Sequence, residues 1–138
     1  TVVIANRTSD RAVRLVASHR SYTKQLVPAA RLEAATLSEL PSLGVFDVII
    51  NATSSSLEGE PLHLPPSLFS PQTLVYDMMY GMAAQEFLAW AGAHGAQTRD
   101  GLGMLVEQAA EAFHFWRGVR PKTAPVLQTL RREVDGLA

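Results

Sequence analysis

The chain has 138 residues, of which 47% are hydrophobic and 18% charged, with a formal net charge of −1. This composition is typical of one globular domain and argues against a disordered or fibrous protein. Cysteine is absent, which excludes disulfide frameworks, thiolate metal sites and a cysteine nucleophile and fits a cytoplasmic location. No apolar run approaches the ~18 residues of a membrane span, so we expect no membrane partner.

Positive charge is concentrated near the beginning of the chain. Residues 1–31 contain six basic residues against one acidic residue, a local charge of +5, whereas the remainder carries −6. A nucleic-acid partner usually requires a broader basic stripe with aromatic platforms. The cluster therefore predicts a small anionic ligand and no nucleic acid.

The first predicted unit is a strand, a tight loop and a helix. Thr1 to Ala5 is an unbroken apolar run, as expected of a strand buried on both faces of a parallel sheet. Thr8 or Ser9 can cap a helix that continues to about Arg20. Because no initiator methionine or loop precedes the strand, we expect the chain to be a fragment of a longer protein.

Four polar residues follow this strand: Asn6, Arg7, Thr8 and Arg11. In dinucleotide-binding folds the end of the second strand recognises the adenosine ribose, and arginine there suits a 2′-phosphate. Guanidinium groups, hydroxyl side chains and the N–H groups of a helix start together form a good phosphate site. A solvated basic loop on a surface helix is an equally good interpretation of the local sequence.

The middle of the chain predicts a second clear strand. Gln25 to Val27 are compatible with a short strand, and Val45 to Ile50 form a stronger apolar run that leads into Thr53 and Ser54. Small hydroxyl residues at the carboxyl end of a strand let a ligand approach the backbone closely. A serine-rich surface turn fits the same residues. A short helical turn is predicted near Ser67 to Phe69.

Strands and helices alternate through the remainder. Leu74 to Tyr80 begins as a third strand, Glu86 to Ala93 forms an amphipathic helix, and Gln97 to Arg99 is short enough for an edge strand. Two further helices are predicted, over Asp100 to Trp116 and over Ala124 to about Leu137. The alternation predicts an α/β fold, a mostly parallel sheet with helices on its faces.

The helix over Asp100 to Trp116 combines a packing stripe with a polar edge. The predicted stripe consists of Leu102, Val106, Ala109, Phe113 and Trp116. Gly101, Met104 and Gln108 are spaced three and four apart along the edge of that stripe. A glycine, a thioether and an amide on one side of a helix start indicate a ligand. The alternative is that Met104 fills a gap in the core and Gln108 is solvated.

No motif supplies a catalytic centre. The four histidines lack metal-ligand spacing, so no metal is expected. The sequence contains no Walker loop, no G-x-S-x-G elbow and no G-x-G-x-x-G motif. No pair of side chains can be assigned acid and base roles from spacing alone.

Four motifs nevertheless occur in a characteristic order: NRTSDR at residues 6–11, NATSS at 51–55, YDMMY at 76–80 and DGLGMLVEQAAEAFHFW at 100–116. The series resembles the carboxyl-terminal, NADP-binding half of shikimate dehydrogenases, over nearly the whole chain. The resemblance implies a partial three-layer Rossmann-like domain over residues 1–138 that includes the carboxyl-terminal helices. It also implies that the first strand, its glycine-rich turn and the amino-terminal domain with the catalytic Lys and Asp are missing.

The resemblance assigns site residues to two groups. Those expected to bind NADP are Asn6, Arg7, Thr8 and Arg11 around the 2′-phosphate, Thr53 and Ser54 along the cofactor, and Met78, Gly101 and Met104 near the nicotinamide and cleft. Those expected to face shikimate are Tyr80 and Gln108. Hydroxyl and amide partners suit a polyhydroxylated carboxylate, and a thioether beside a glycine suits a nicotinamide ring. The sequence departs from the family pattern at Ser56, where glycine is usual, and before Phe87, where Pro and Thr are usual.

The activity implied by the resemblance is the interconversion of 3-dehydroshikimate and shikimate by hydride transfer with NADP. A paralogue acting on quinate, or a non-catalytic nucleotide-binding module, is the alternative. We expect the isolated chain to be inactive and to bind NADP weakly, because half of the pyrophosphate site is absent. The missing strand should leave a sheet edge exposed, which predicts self-association through that edge.

Overall fold

The structure is a computed structural model that describes residues 1–27, 29–55 and 62–136. The chain divides into two compact units, residues 1–44 and residues 45–138. Ser56 and Leu137, named in the sequence predictions, lie outside the described residues.

The first unit consists of two parallel strands and a long helix. Strand β1 (Val2–Asn6) is followed by helix α1 (Ser9–Leu26), strand β2 (Leu32–Thr36) and a single 3-10 turn (Leu40–Ser42). β1 and β2 pair in parallel, with Asn6 opposite Thr36. Helix α1 packs on both strands and buries Ala12 and Val16, which are spaced four residues apart and so share one face.

Two sequence predictions in this unit are wrong. The first helix continues six residues beyond Arg20, to Leu26, and the segment Gln25 to Val27 is not a strand. Lys24, Gln25 and Leu26 are good helix formers, and the Val27 N–H still donates a helical hydrogen bond to the Thr23 carbonyl. The strand lies instead at Leu32–Thr36, where pairing with β1 outweighs a weak intrinsic preference for the extended state.

The second unit contains a three-stranded parallel sheet. Strands β3 (Val48–Asn51), β4 (Leu74–Asp77) and β5 (Gln97–Arg99) are ordered β3-β4-β5. The prediction of an edge strand at β5 is confirmed. β3 begins three residues after the predicted Val45, because the Phe46 N–H bonds to Leu68 instead of joining a ladder. A 3-10 turn at Pro66–Leu68 lies within one residue of its predicted place.

Three helices complete this unit: α2 (Met82–Ala93), α3 (Leu102–Arg117) and α4 (Thr123–Val134). Helix α2 packs on β4 and β5, and α3 packs against α4. In the described part of this unit the core is formed by ten buried side chains, Leu64, Leu68, Phe69, Val75, Ala84, Phe87, Ala91, Leu102, Val106 and Ala110. The predicted α/β class with parallel strands is confirmed.

Two of the five residues in the predicted packing stripe of α3 are buried, and the other three are exposed. Leu102 and Val106 are buried, but the next buried residue is Ala110 and not Ala109. Phe113 is 47% exposed and Trp116 is 74% exposed. The buried row follows a spacing of four residues along the first half of the helix. Helix α4 lies beside α3, and the two helices enclose an apolar groove of about 270 Å³ whose α3 side runs from Leu105 to Phe113.

Among the described residues, none of the helices combines the length and apolar character needed to cross a membrane.

Candidate functional site

A basic loop follows β1 in the first unit. The Asn6 side-chain oxygen accepts a hydrogen bond from the Thr8 N–H at 2.8 Å, which tightens the turn between strand and helix. Thr8 is the N-cap of α1, and its side chain makes no capping hydrogen bond. Arg7 and Arg11 are exposed at this same end of the helix. All four residues predicted to bind a phosphate are therefore brought together at a helix N-terminus, where backbone N–H groups favour an anion.

The loop after β2 lies beside the basic loop, since Thr36 is the partner of Asn6 across the two strands. Glu39 in this loop is held internally: its Oε2 accepts hydrogen bonds from the Thr36 N–H at 2.7 Å and from the Thr36 hydroxyl at 2.8 Å. The hydrogen bond from the Thr36 backbone, followed by that from its hydroxyl, holds the pKa of Glu39 below its ordinary value. The carboxylate is thus engaged by its own loop.

In the second unit the carboxyl ends of three parallel strands form one edge. The Met78 N–H bonds to the Asn51 carbonyl at 3.0 Å, and the Gly101 N–H bonds to the Met79 carbonyl at 2.8 Å. The loops after β3, β4 and β5 are therefore neighbours. This edge is where open α/β sheets bind ligands. Five predicted site residues lie in these loops: Thr53, Ser54, Met78, Tyr80 and Gly101.

Two buried polar side chains connect these loops. Asn51 is 2% exposed and Asp77 is fully buried. The Asn51 amide donates to Asp77 Oδ2 at 3.0 Å, and the Met79 N–H donates to Asp77 Oδ1 at 2.8 Å. The Asn51 oxygen accepts from the N–H and the hydroxyl of Thr53, at 3.1 and 2.8 Å. The pair thus fixes both the start of the Thr53 loop and the backbone after Met78.

Sequence reasoning missed the Asn51–Asp77 pair, although a signal was present. Each residue ends an apolar strand and lies within a motif, Asn51 in NATSS and Asp77 in YDMMY. A polar side chain at the end of a buried strand requires a partner. The two strands pair in parallel with Asn51 opposite Asp77, so the partner of each was the other.

We predict that Asn51→Asp destabilises the protein. The change keeps the acceptor for Thr53 but removes the donor to Asp77, and a lost buried hydrogen bond of about 2 kcal/mol corresponds to a melting temperature lower by roughly 5 °C at pH 7. Thermal unfolding at that pH measures it. Asn6→Asp, the same change in an Asx turn on the surface, is the control; equal losses in both variants would contradict the prediction.

A glycine is required at position 101 because a side chain there would clash with Met78, and not because of the backbone conformation. A Cβ at this position would lie 2.1 Å from the Met78 carbonyl oxygen and 2.7 Å from the Met78 carbonyl carbon, while φ is an ordinary −77°. The start of α3 is therefore pressed against the β4–α2 loop, residues 78–81. This contact brings the predicted nicotinamide residues Met78 and Gly101 together.

The remaining predicted residues are accessible on the same unit. Met78, Tyr80 and Met104 are 41%, 43% and 39% exposed. Gln108 is exposed one helical turn beyond Met104 on α3. A thioether, a phenol and an amide are thus available to a ligand, which agrees with the interpretation of this edge as a binding surface. Their direct roles toward a ligand stay predictions.

The chemistry of the site is binding and orientation. Among the residues that the structure describes, no group of three or more histidines, aspartates or glutamates is arranged to hold a metal ion. The side chains along the second unit's edge supply hydroxyls, thioethers and an amide, and Asp77, the buried carboxylate there, is committed to Asn51 and Met79. The arrangement is suited to holding a nucleotide cofactor and a polar substrate in place.

Parallel strands joined by helices, with a basic helix start at one strand end and small polar residues at the others, are features of the Rossmann-like class of α/β folds, whose members bind nucleotides at the strand ends. Residues 101–131 match the shikimate 5′-dehydrogenase C-terminal domain family. The chain is 56% identical over 133 residues to shikimate dehydrogenase (NADP(+)) of Acidovorax ebreus, covering 96% of the chain and 46% of that relative. The chain therefore belongs to the shikimate dehydrogenase family and corresponds to the carboxyl-terminal part of its members.

Solved structures are similar over the same extent. An Ael1 enzyme from Pseudomonas putida matches with a TM-score of 0.74 and 39% identity, over 93% of this chain and 44% of that one. Shikimate 5-dehydrogenase from Thermus thermophilus, in complex with NADP(H) and shikimate, matches with a TM-score of 0.69 and 28% identity, over 95% of this chain and 45% of that one. The Rossmann-like fold is thereby confirmed. The chain spans about half the length of the relatives that it matches.

Proposed function

We propose that the chain is the NADP-binding part of an NADP-dependent shikimate dehydrogenase, which reduces 3-dehydroshikimate to shikimate by hydride transfer from NADPH. The observation that carries this proposal is the basic loop, where Arg7 and Arg11 flank the start of α1 directly after β1. An acidic residue at this place would favour NAD, and arginine favours the 2′-phosphate of NADP. The relatives named as NADP-dependent shikimate dehydrogenases support the same activity.

The proposed cofactor path follows the strand ends. Asn6, Arg7, Thr8 and Arg11 surround the 2′-phosphate, and Thr53 and Ser54 lie along the cofactor. Met78, Gly101 and Met104 meet the nicotinamide end. The support is geometric, since Met78 and Gly101 are in contact and the Asn51–Asp77 pair fixes the start of the Thr53 loop and the backbone after Met78.

The proposed substrate contacts are Tyr80 and Gln108. A phenol and an amide, both accessible in the same unit, match the hydroxyl and carboxylate groups of shikimate. The proton in the reaction would be handled by a Lys–Asp pair in an amino-terminal domain, because no acid–base pair of that kind is recognised in this chain. This chain would orient the two reactants.

We also propose that one further strand precedes this chain in the intact protein, since the chain spans about half the length of its relatives. Among the described residues β1 pairs with β2 alone and β3 pairs with β4 alone. Each of the two sheets therefore has an edge to which a strand can be added. Three apolar side chains on β1 and β3, Val2, Val48 and Ile50, are 57%, 50% and 61% exposed. Here "full-length protein" means this chain together with the preceding segment that holds this strand and the amino-terminal domain.

The isolated chain of 138 residues is expected to show no shikimate-dependent NADPH formation and to self-associate. The unpaired edges of β1 and β3 offer backbone donors and acceptors to a second copy. Sedimentation velocity over a range of concentrations measures the association, with the full-length protein as the control. A strictly monomeric chain at high concentration, or catalysis by the chain alone, would contradict this expectation.

The function itself is tested by kinetics on the full-length protein. Shikimate and quinate are each assayed with NADP and with NAD, by following the formation of reduced nicotinamide. We expect the highest kcat/KM for shikimate with NADP. A higher value for quinate, or for NAD, would overturn the proposal in favour of a paralogue, and no turnover with any of the four combinations would favour a non-catalytic nucleotide-binding module. The cytoplasmic location predicted from the sequence stays a prediction.

A further inference from the structure

Asp100, the residue directly after β5, makes an ion pair with Arg131 of α4. Both terminal guanidinium nitrogens of Arg131 donate hydrogen bonds to the Asp100 carboxylate, Nη1 to Oδ2 at 2.7 Å and Nη2 to Oδ1 at 2.6 Å. The Asp100 side chain is 11% exposed and that of Arg131 is 39% exposed. Asp100 Oδ1 also accepts a hydrogen bond from the Leu102 N–H at 3.3 Å, in the first turn of α3. The Asp100 carboxylate therefore links the first turn of α3 to Arg131 of α4.

Helix α4 also contacts the β4–α2 loop, through Val134. A Cβ on Gly81 would lie 3.1 Å from Cγ1 of Val134, one turn after Arg131. Gly81 has φ of +62°, so the loop turns sharply under the helix. The neighbouring Gly101 N–H bonds to the Met79 carbonyl. Val134 thus contacts the β4–α2 loop, which carries Tyr80, and Arg131 contacts Asp100 at the start of α3. These two segments form the surface proposed to meet the nicotinamide.

We propose that the Asp100–Arg131 pair positions the reactants: through it, α4 sets the place of Gly101 and of the β4–α2 loop. The proposal rests on the proposed function for what this surface binds. Neither residue is assigned a contact with cofactor or substrate. Both act through Gly101, Met78 and Tyr80, whose distances to a bound ring decide whether hydride transfer is aligned.

The geometry of the pair favours positioning over simple stabilisation. Two parallel N–H···O bonds between planar groups fix orientation as well as distance, whereas a lysine would supply a point charge without that constraint. The hydrogen bonds from Arg131 are the main cause that lowers the pKa of Asp100 below its ordinary value. The carboxylate therefore stays ionised at neutral pH, and the pair weakens only as pH falls through that lowered pKa.

The test compares Arg131→Lys with Arg132→Lys in the full-length protein. Arg132 is the next residue of α4 and is exposed. Arg132→Lys therefore makes the same arginine-to-lysine change in the same helix. Because misplacement of about 1 Å can cost ~10²-fold in rate, we expect Arg131→Lys to lower kcat at least ~10-fold and to raise the KM for shikimate. Its melting temperature and its affinity for 2′,5′-ADP should stay close to the parent values, because lysine keeps the charge and the basic loop is untouched. Arg132→Lys should change none of these.

A second readout does not depend on activity. Hydrogen exchange of the Gly101 amide, which is bonded to Met79, should be faster in Arg131→Lys and unchanged in Arg132→Lys. Unaltered kcat together with unaltered Gly101 exchange in an active Arg131→Lys protein would overturn the inference. If the parent protein lacked shikimate-dependent activity, the proposed function would be wrong. The exchange measurement would still decide the inference: faster Gly101 exchange in Arg131→Lys would support the coupling of α4 to this surface, and unaltered exchange would refute it.

Discussion

Replacement of Arg11 by alanine is expected to weaken NADP binding to the full-length protein by about 10- to 100-fold, because a hydrogen bond to a charged group is worth about 1.5–3 kcal/mol and each 1.4 kcal/mol is tenfold. NAD lacks the 2′-phosphate, so its affinity should change by less than about twofold if Arg11 binds only that group. Titration of both reduced cofactors by fluorescence, at one fixed ionic strength, measures the two dissociation constants.

Arg20 provides the matched control for this prediction. It lies on the same helix and is exposed, nine residues farther along from the basic loop. Arg20→Ala removes the same charge from the protein, so it reports the effect of net charge on an anionic cofactor. Equal losses of NADP affinity in both variants, or equal losses of NADP and NAD affinity in Arg11→Ala, would contradict a specific 2′-phosphate site at the start of α1.

Replacement of Gly101 by alanine should lower kcat/KM by about 100-fold or more, since it forces the start of α3 away from the β4–α2 loop by a distance comparable with the ~1 Å that such a loss requires. The new Cβ would sit 2.1 Å from the Met78 carbonyl oxygen, a contact with backbone that no rotamer change relieves. Overpacking of this kind also costs about 1–3 kcal/mol of stability. Steady-state kinetics and thermal unfolding of the full-length protein measure the two effects.

Gly103 offers the control for Gly101. It lies two residues farther into α3, and a Cβ there would meet nothing within 4 Å. Gly103→Ala should keep kcat/KM and raise the stability by about 0.5–1 kcal/mol, because alanine loses less backbone entropy in a helix. Full activity in Gly101→Ala, or an equal loss in Gly103→Ala, would show that the close approach of Gly101 and Met78 has no part in the reaction.

The elements with clear periodicity could be predicted from the sequence, and the ambiguous ones could not. The strand at Leu74 and the edge strand at Gln97–Arg99 were predicted in place because apolar or short extended runs stand between breakers. Gln25 to Val27 satisfies both a helix and a strand pattern, and local sequence does not show that α1 continues to Leu26. The strand LEAAT at Leu32–Thr36 is created by its pairing with β1, which is a tertiary effect.

The candidate site divides in the same way. The small hydroxyl residues after β3 were singled out because ligands bind at the carboxyl ends of parallel strands, whereas Met78 was assigned by the family resemblance. The structure places Met78 against Gly101, and the binding roles of these residues stay predictions. The Asp100–Arg131 pair could not be predicted, since its partners are 31 residues apart and the direction of α4 is set by packing. The predicted burial of Trp116 was wrong for a related reason: helical periodicity shows which residues share a face but not how far along the helix that face is covered.

The strand ends of this chain are proposed to hold NADP. Hydrogen exchange of the full-length protein with and without NADPH tests this proposal most directly. We predict protection of residues 6–11, 51–55 and 78–81, and no change in residues 86–93 of α2, which lie away from the carboxyl ends of the strands. Tight NADPH binding that leaves the amides of residues 6–11 and 78–81 unprotected would contradict the proposal.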